Sequence, residues 1–304
     1  MRRGEYGLLV ALGAMWGLSY VFYREGAPAL GPALFVELRV ALASAVLLLY
    51  LAGLGRLGTT RARLRARWRA YLVLGALNAA VPFTLIAVAE LTLPASFASV
   101  LNSTAPLFSA LLGMPLLGQS IRARQGSGIA LGIVGVIVLV GAAPFTLTSV
   151  VIASAIASLL AAFSYALAAI YVRRSLPGED PLDLSVGQQL AGALLLVPFA
   201  AIEVPSARFT PVALESVLGI ALLSTALAYV IYFRILQSTG PTEALTVTFL
   251  IPIFGVVWGF LLLREPIGPA LLVGVALILA GVALATARRP SAPPIPPRTA
   301  SASR

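Results

Sequence analysis

The 304-residue sequence contains no cysteine and no histidine. The first absence excludes disulfide frameworks, thiol chemistry and iron–sulfur ligation; the second removes the commonest metal ligand and general base. Lysine is missing as well, so all 21 basic residues are arginine. Charge of any kind is scarce: 11% of residues are charged against 60% hydrophobic, and mean hydropathy is +0.98. Soluble domains carry about a quarter charged residues, so most of this chain must face lipid or other helices.

What the chain has in abundance is repetition. Residues 98–141 return 146 positions later as 244–287. In that register Pro106 meets Pro252, Phe108 meets Phe254, Gln119 meets Glu265, Gly128 meets Gly274 and Gly135 meets Gly281. Leucine and valine matches are cheap in so apolar a chain, but paired prolines, turns and spaced glycines are not. The repeat extends upstream, where Trp16–Tyr20 is echoed by Ala161–Tyr165 and the segment 35–39 by 185–189.

A bilayer requires roughly 20 apolar residues per spanning helix. The runs divide into ten predicted spans at 6–23, 31–53, 68–89, 94–117, 126–143, 148–172, 184–202, 212–237, 243–263 and 267–287. The first is not a cleavable signal, because Trp16, Tyr20 and Tyr23 stand where small residues would be needed and further spans follow. The Pro/Ser/Arg-rich tail 288–304 has nothing to bury and is expected to be disordered.

With the N-terminus cytoplasmic, seventeen of the 21 arginines fall on the inner side, including the run at 56–69. Positive residues concentrate in cytoplasmic loops, so both termini are expected inside and the arginines report topology rather than nucleic-acid binding. Five spans per half force the second copy to enter the membrane inverted. The expected fold is an all-α polytopic membrane protein of ten transmembrane helices. Residues 1–143 form one five-helix repeat, 148–287 its inverted copy, and 288–304 a cytoplasmic tail.

The chain is similar to the drug/metabolite transporter superfamily and, within it, to bacterial EamA-type exporters. The likeness runs from Ala14–Gly17 through Glu37–Ala41 to the duplicated proline, Leu-Leu, acidic or amide turn and glycine-bearing helix. The turn Leu261–Pro266 matches the family's leucine, glycine, glutamate turn closely, whereas the first half departs with Gly118-Gln119. The resemblance implies a ten-helix exporter of amino acids or small metabolites, with a central cavity between halves. No carboxylate follows Glu5 in the first span, unlike small multidrug antiporters, whose glutamate there binds cationic drugs and protons.

Helix breaks indicate where such a cavity would lie. Proline frees the carbonyl four residues earlier, which is that of Asn78 for Pro82, Asn102 for Pro106 and Thr248 for Pro252. Freed carbonyls in hydrocarbon must be satisfied by protein or by a wet cavity, and matching breaks in inverted halves point to a binding site. A kink patched locally by the Asn or Thr is the alternative. Asn102, Ser103, Thr104, Thr246 and Thr248 are the first candidates for substrate hydrogen bonds, with back-bonding to the helix as the competing reading. Trp16, Tyr20, Tyr165, Tyr229 and Trp258 are candidate aromatic walls, whereas Tyr6, Tyr23, Trp68 and Tyr71 are read as interfacial anchors. Gly128 and Gly132 form a small-xxx-small pair, read as close packing with a homo-oligomer contact left open.

Glu37 and Arg39 are the ionisable pair inside a span. Arg39 is read as holding the halves together and Glu37 as a candidate for proton coupling. A site of amides, hydroxyls and aromatic faces suits a neutral or zwitterionic amphipathic molecule such as an amino acid. A drug or other metabolite is the alternative cargo. An embedded enzyme would need convergent Ser/His, paired acids or a metal, and no such constellation is present. A purely structural membrane protein would not require duplicated helix breaks. No cofactor, metal site or nucleic-acid partner is expected; the partners are a small-molecule substrate and the lipid bilayer of the cell membrane.

Overall fold

The computed structural model describes residues 3–118, 120–143, 146–240, 244 and 246–286. Expectations for Gln119, Glu243 and the tail fall outside the described residues, which contain helices and turns but no strand. In chain order the helices are α1 Arg3–Leu30, α2 Pro32–Gly53, α3 Leu57–Ala66, α4 Trp68–Gly75, α5 Val81–Ala89, α6 Ala95–Asn102 and α7 Ala105–Leu117. They continue as α8 Ala123–Gly141, α9 Ser149–Ser175, α10 Pro181–Glu203, α11 Pro211–Ala221, α12 Ala228–Thr239, α13 Val247–Leu263 and α14 Pro269–Thr286. The π-turns Ala76–Ala80 and Leu222–Leu227 fuse α4 to α5 and α11 to α12, while α6 and α7 are successive parts of one span. Among the described residues nine segments are long and apolar enough to cross a membrane, and α13 is a shorter apolar helix.

Local chemistry sets the helix ends. Thr148, Asp180 and Thr210 each accept a backbone N–H at the starts of α9, α10 and α11, and Pro181 and Pro211 take positions whose N–H would be unpaired anyway. Gly31, at φ 91, turns the chain from α1 into α2. α1 runs to Leu30, past the end expected at 23, and includes Pro28 in its last turns. Arg24 is therefore on a helix and not in a loop.

Packing partners obey the duplication. α2 lies on α10 and α8 on α14, each the counterpart of the other; α1 packs on α13 as α9 packs on α6 and α7, and α5 on α9 as α12 on α1. Lipid provides no hydrophobic drive between helices, so contact depends on small residues that let backbones approach. A Cβ at Gly128 would come within 2.6 Å of the Ala285 amide, and one at Gly281 within 2.6 Å of the Gly128 carbonyl. The glycines of the fifth span thus serve a contact within the chain.

Loops expected on one side also meet one another. At the arginine-rich end, Arg56 pairs with Asp180 at 2.8 Å, Arg63 with Asp183 at 2.6 Å and Arg67 with Glu179 at 2.9 Å. Thr60 donates to the fully buried Asp183 carboxylate at 2.6 Å, and this carboxylate holds the Arg63 guanidinium above its ordinary pKa. The 56–69 run is therefore bound to the second repeat. Tyr71 is buried and donates to Glu179, not an interfacial anchor, whereas Tyr6 and Trp68 are exposed.

Candidate substrate site

Between the repeats lies a cavity of about 1630 Å³. Its deep part is lined by Tyr20, Tyr23, Arg39, Phe83 and Ile86, and its other end reaches Leu117, Arg122, Arg124, Arg173 and Thr286. These last residues belong to the arginine-rich end, so the mouth is on the side expected to be cytoplasmic.

The two π-turns begin 146 positions apart, at Ala76 and Leu222, and are thus repeat-related. Single π-turns inside α-helices are frequent at functional sites, because the extra residue re-aims side chains and frees backbone groups. The turns are tied to other spans through hydroxyls: Ser164 of α9 donates to the Leu77 carbonyl of the first turn at 2.7 Å, and Ser224 of the second turn donates to the Met15 carbonyl of α1 at 2.6 Å. The first π-turn carries Asn78, whose Nδ2 donates to Gln188, and Gln188 Nε2 donates to the Tyr229 hydroxyl at 2.7 Å. The second carries Thr225, whose hydroxyl donates to the Ile220 carbonyl at 2.8 Å and accepts from Arg39 Nε at 2.9 Å. Asn102 Nδ2 donates to the Tyr20 hydroxyl at 2.7 Å, and its Oδ1 is buried with no partner among the described residues.

Arg39 is the centre of the deep part. Its Nη1 donates to the Tyr23 hydroxyl, and its guanidinium lies 3.7 Å from the Phe83 ring centroid. Trp16 meets Tyr229 edge-on at 6.3 Å, and Phe83 meets Tyr165 in the same way at 6.3 Å. The cavity is therefore walled by aromatic faces and edged with amides and hydroxyls.

Of the residues singled out from sequence, Trp16, Tyr20, Arg39, Asn78, Asn102, Ser103, Tyr165, Tyr229, Thr246 and Thr248 line this cavity. Four others do not. Pro82 is buried inside α5, and the Thr104 hydroxyl bonds back to the Leu101 carbonyl. Trp258 donates its indole N–H to the Ala14 carbonyl at 2.9 Å, away from the cavity. Glu37 is on the helix face turned from Arg39, as two residues of spacing require, and is not among the lining. Proline logic needs correction at Pro252, which lies within an unbroken α13. Tyr23, assigned to the interface, is instead 1% exposed and part of the cavity wall. Phe83, Tyr232, Thr225, Gln188 and the mouth arginines were not anticipated; Gln188, an amide inside a span, was the clearest signal passed over.

Away from the mouth the molecule is sealed by carboxylates. Glu265, in the turn after α13, accepts from the Ala95 and Ser96 amides at 2.7 and 2.9 Å and so caps α6 of the other repeat. Glu203 does the same for α2 through Leu34 N at 2.8 Å. Glu90 is fully buried, with neither oxygen hydrogen-bonded among the described residues, while Arg24 donates to its backbone carbonyl at 2.6 Å. Burial first, then the nearby Glu265 charge, push its carboxyl well above the usual range, against a smaller pull from Arg24.

The EamA-like transporter family matches the chain twice, over residues 4–141 and 152–287. The chain is 27% identical over 279 residues to an uncharacterized transporter, YvbV, of Bacillus subtilis, covering 91% of this chain and 90% of the relative. It is 28% identical over 284 residues to a protein of Streptantibioticus cattleyicolor named a probable terminal-alkyne amino-acid exporter, covering 92% of each. It is 25% identical over 296 residues to a protein of Salmonella typhimurium named a probable amino-acid metabolite efflux pump, covering 93% and 94%. A solved crystal structure shares the fold at a TM-score of 0.65 and 20% identity, over 94% of this chain and 97% of that one. The matched repeats, the multi-pass helical fold and these relatives agree: the chain is a multi-pass membrane protein and belongs to the EamA-like transporter family.

Proposed function

We propose that this protein is a secondary carrier that exports amino acids or related small neutral or zwitterionic metabolites by alternating access around the central cavity. The observation that carries this is convergence: repeat-related Asn102 and Thr248, from opposite halves, line one aromatic-walled space of about 1630 Å³. That volume exceeds the usual few hundred to 1,000 Å³ of a ligand pocket, leaving room for a solvated solute. The halves 1–143 and 148–287 are the two moving units in this reading. The unpartnered Asn102 Oδ1 offers an acceptor to an ammonium or other N–H donor. The amino-acid exporters among the relatives favour the same class of cargo.

Counterflow of labelled amino acids between preloaded proteoliposomes tests the proposal, with Asn102→Ala and Thr248→Val as site variants. Solute exchange that drops about five- to tenfold in either variant is expected, from the loss of a hydrogen bond of roughly 1–1.5 kcal/mol. Exchange unchanged in both variants removes the assigned site. An embedded enzyme or a structural protein would exchange nothing.

A further inference from the structure

Among the described residues the charged lining of the cavity has one sign. Arg39 lies deep inside and Arg122, Arg124 and Arg173 stand at the mouth, while none of the described lining residues is an aspartate or glutamate. Arg39 is only 4% exposed, and its partners are neutral: the Thr225 and Tyr23 hydroxyls and the Phe83 ring face. Among the described residues no carboxylate is within ion-pairing distance of it, although the chain pairs Arg56, Arg63 and Arg67 with acids at one end. A buried cation without a counter-ion is a large desolvation penalty. Ring face and hydroxyls orient it and offset part of that penalty without neutralising it. The counter-ion is then left for whatever occupies the cavity.

We infer that Arg39 anchors the carboxylate of an amphipathic cargo, so that the site selects organic acids and amino acids over the corresponding amines. This rests on the carrier reading above and sharpens its substrate class. A planar guanidinium held at Nε and Nη1 by fixed partners is pre-oriented to grip a carboxylate through its remaining N–H groups. Phe83, Tyr20 and Tyr165 supply apolar faces beside it for the body of the molecule. At the mouth, three arginines with no acidic partner among the described residues raise the local concentration of anions, an attraction that salt screens. Among the described residues an ammonium meets no acid in the cavity, only neutral acceptors such as the Asn102 carbonyl oxygen, so it is accommodated without being required.

The test uses three matched pools of labelled solutes in counterflow: hydrophobic amino acids, their deaminated acids, and their decarboxylated amines. Wild-type protein is expected to exchange both acid pools at least about tenfold faster than the amines. Arg39→Gln should bring that ratio close to one, roughly a 10–100-fold loss for the acids, and Arg39→Lys, which keeps the charge but not the planar fork, should restore part of it. A residue that merely braced the fold would lower all three pools together and leave the ratio intact. Should Arg39→Gln fail to insert, the wild-type ratio and that of Arg39→Lys still decide. Amines exchanged as fast as acids, or a ratio that survives in Arg39→Gln, overturn the inference while leaving a carrier in place. Exchange of none of the pools overturns the carrier reading itself.

Discussion

The turns that end α7 and α13 hold the same place in the two repeats, with Gly118-Gln119 in one and Arg264-Glu265 in the other. Glu265 reaches across to the opposite repeat and accepts from two amides at the start of α6. There a negative charge meets both unpaired donors and the positive end of the helix dipole. In the other repeat the acid is replaced by an amide, and the residue matching Ala95 is Pro241, which has no amide hydrogen to give. The sealed end of the molecule thus has a charged latch whose counterpart, by sequence, is neutral and short of one donor. The cavity opens at that second end. The duplication therefore supplies one scaffold twice, while the differences between copies decide which end is held shut.

The largest way to break this asymmetry is to remove the latch. Glu265→Ala leaves two helix-initiating amides without their charged acceptor, and hydrogen bonds to charged groups are worth about 1.5–3 kcal/mol each. Together the two bonds come to about 3–6 kcal/mol, so the sealed end should open in a fraction of molecules at least about a hundredfold larger. Because the chain has no cysteine, a single Ser19→Cys in the cavity wall can report this. A membrane-impermeant maleimide on the sealed side should label it in Glu265→Ala but hardly in the wild-type background. Equal labelling in both would show that the carboxylate does not hold the end.

Glu90 makes the same end sensitive to pH. Its carboxyl is raised by burial and by Glu265, so the sealed arrangement holds Glu90 protonated more readily than an open or unfolded one does. Closure is then fully supported below the ordinary glutamate value of 4.5 and weakens as pH climbs through the raised one. One group changes the balance by at most about 1.4 kcal/mol per pH unit. Ser19→Cys labelling should therefore rise with pH above 4.5, and Glu90→Gln should flatten the profile. Arg24 and the Glu265 carboxylate also face this group and must be kept intact for the comparison. A slope of opposite sign would mean that Glu90 is ionised in the sealed state. Conversely, Gln119→Glu gives the open end the charge it lacks and should favour its closure by about 1 kcal/mol, read as slower labelling of a mouth cysteine from the arginine-rich side.

The sequence made some of this plain and hid the rest for identifiable reasons. Hydropathy and duplication place every span because lipid imposes one length and one polarity on each. Span ends were less legible: the first span was expected to end at 23, yet α1 runs to Leu30. Asn78, Asn102 and Thr248 stand out as polar residues beside prolines, yet the proline rule did not find the second π-turn, since Leu222–Leu227 contains no proline. Tyr23 looked like a membrane-surface anchor because the sequence does not reveal that Arg39, 16 residues away, is its partner. The acids at 179–183 gave no sign of their role, because their arginine partners come from more than a hundred residues earlier.

The smallest effect sharpens the comparison at backbone level. Gly118 has φ 64 and its counterpart Arg264 φ 56, so both turns use the left-handed conformation although only one has the residue suited to it. A non-glycine residue there is strained by about 1–2 kcal/mol, while glycine loses roughly 0.5–1 kcal/mol through its freer unfolded chain. Arg264→Gly should therefore raise thermal stability by about 0.5 kcal/mol, whereas Gly118→Ala should lower it by a similar or larger amount. A side chain at Gly118 would meet nothing within 4 Å, so strain and not crowding sets that sign. Heat-induced unfolding of the two variants in one detergent decides the matter. If Arg264→Gly is instead destabilising, the exposed arginine side chain contributes more than its backbone conformation costs, and the two turns differ in function as well as in charge.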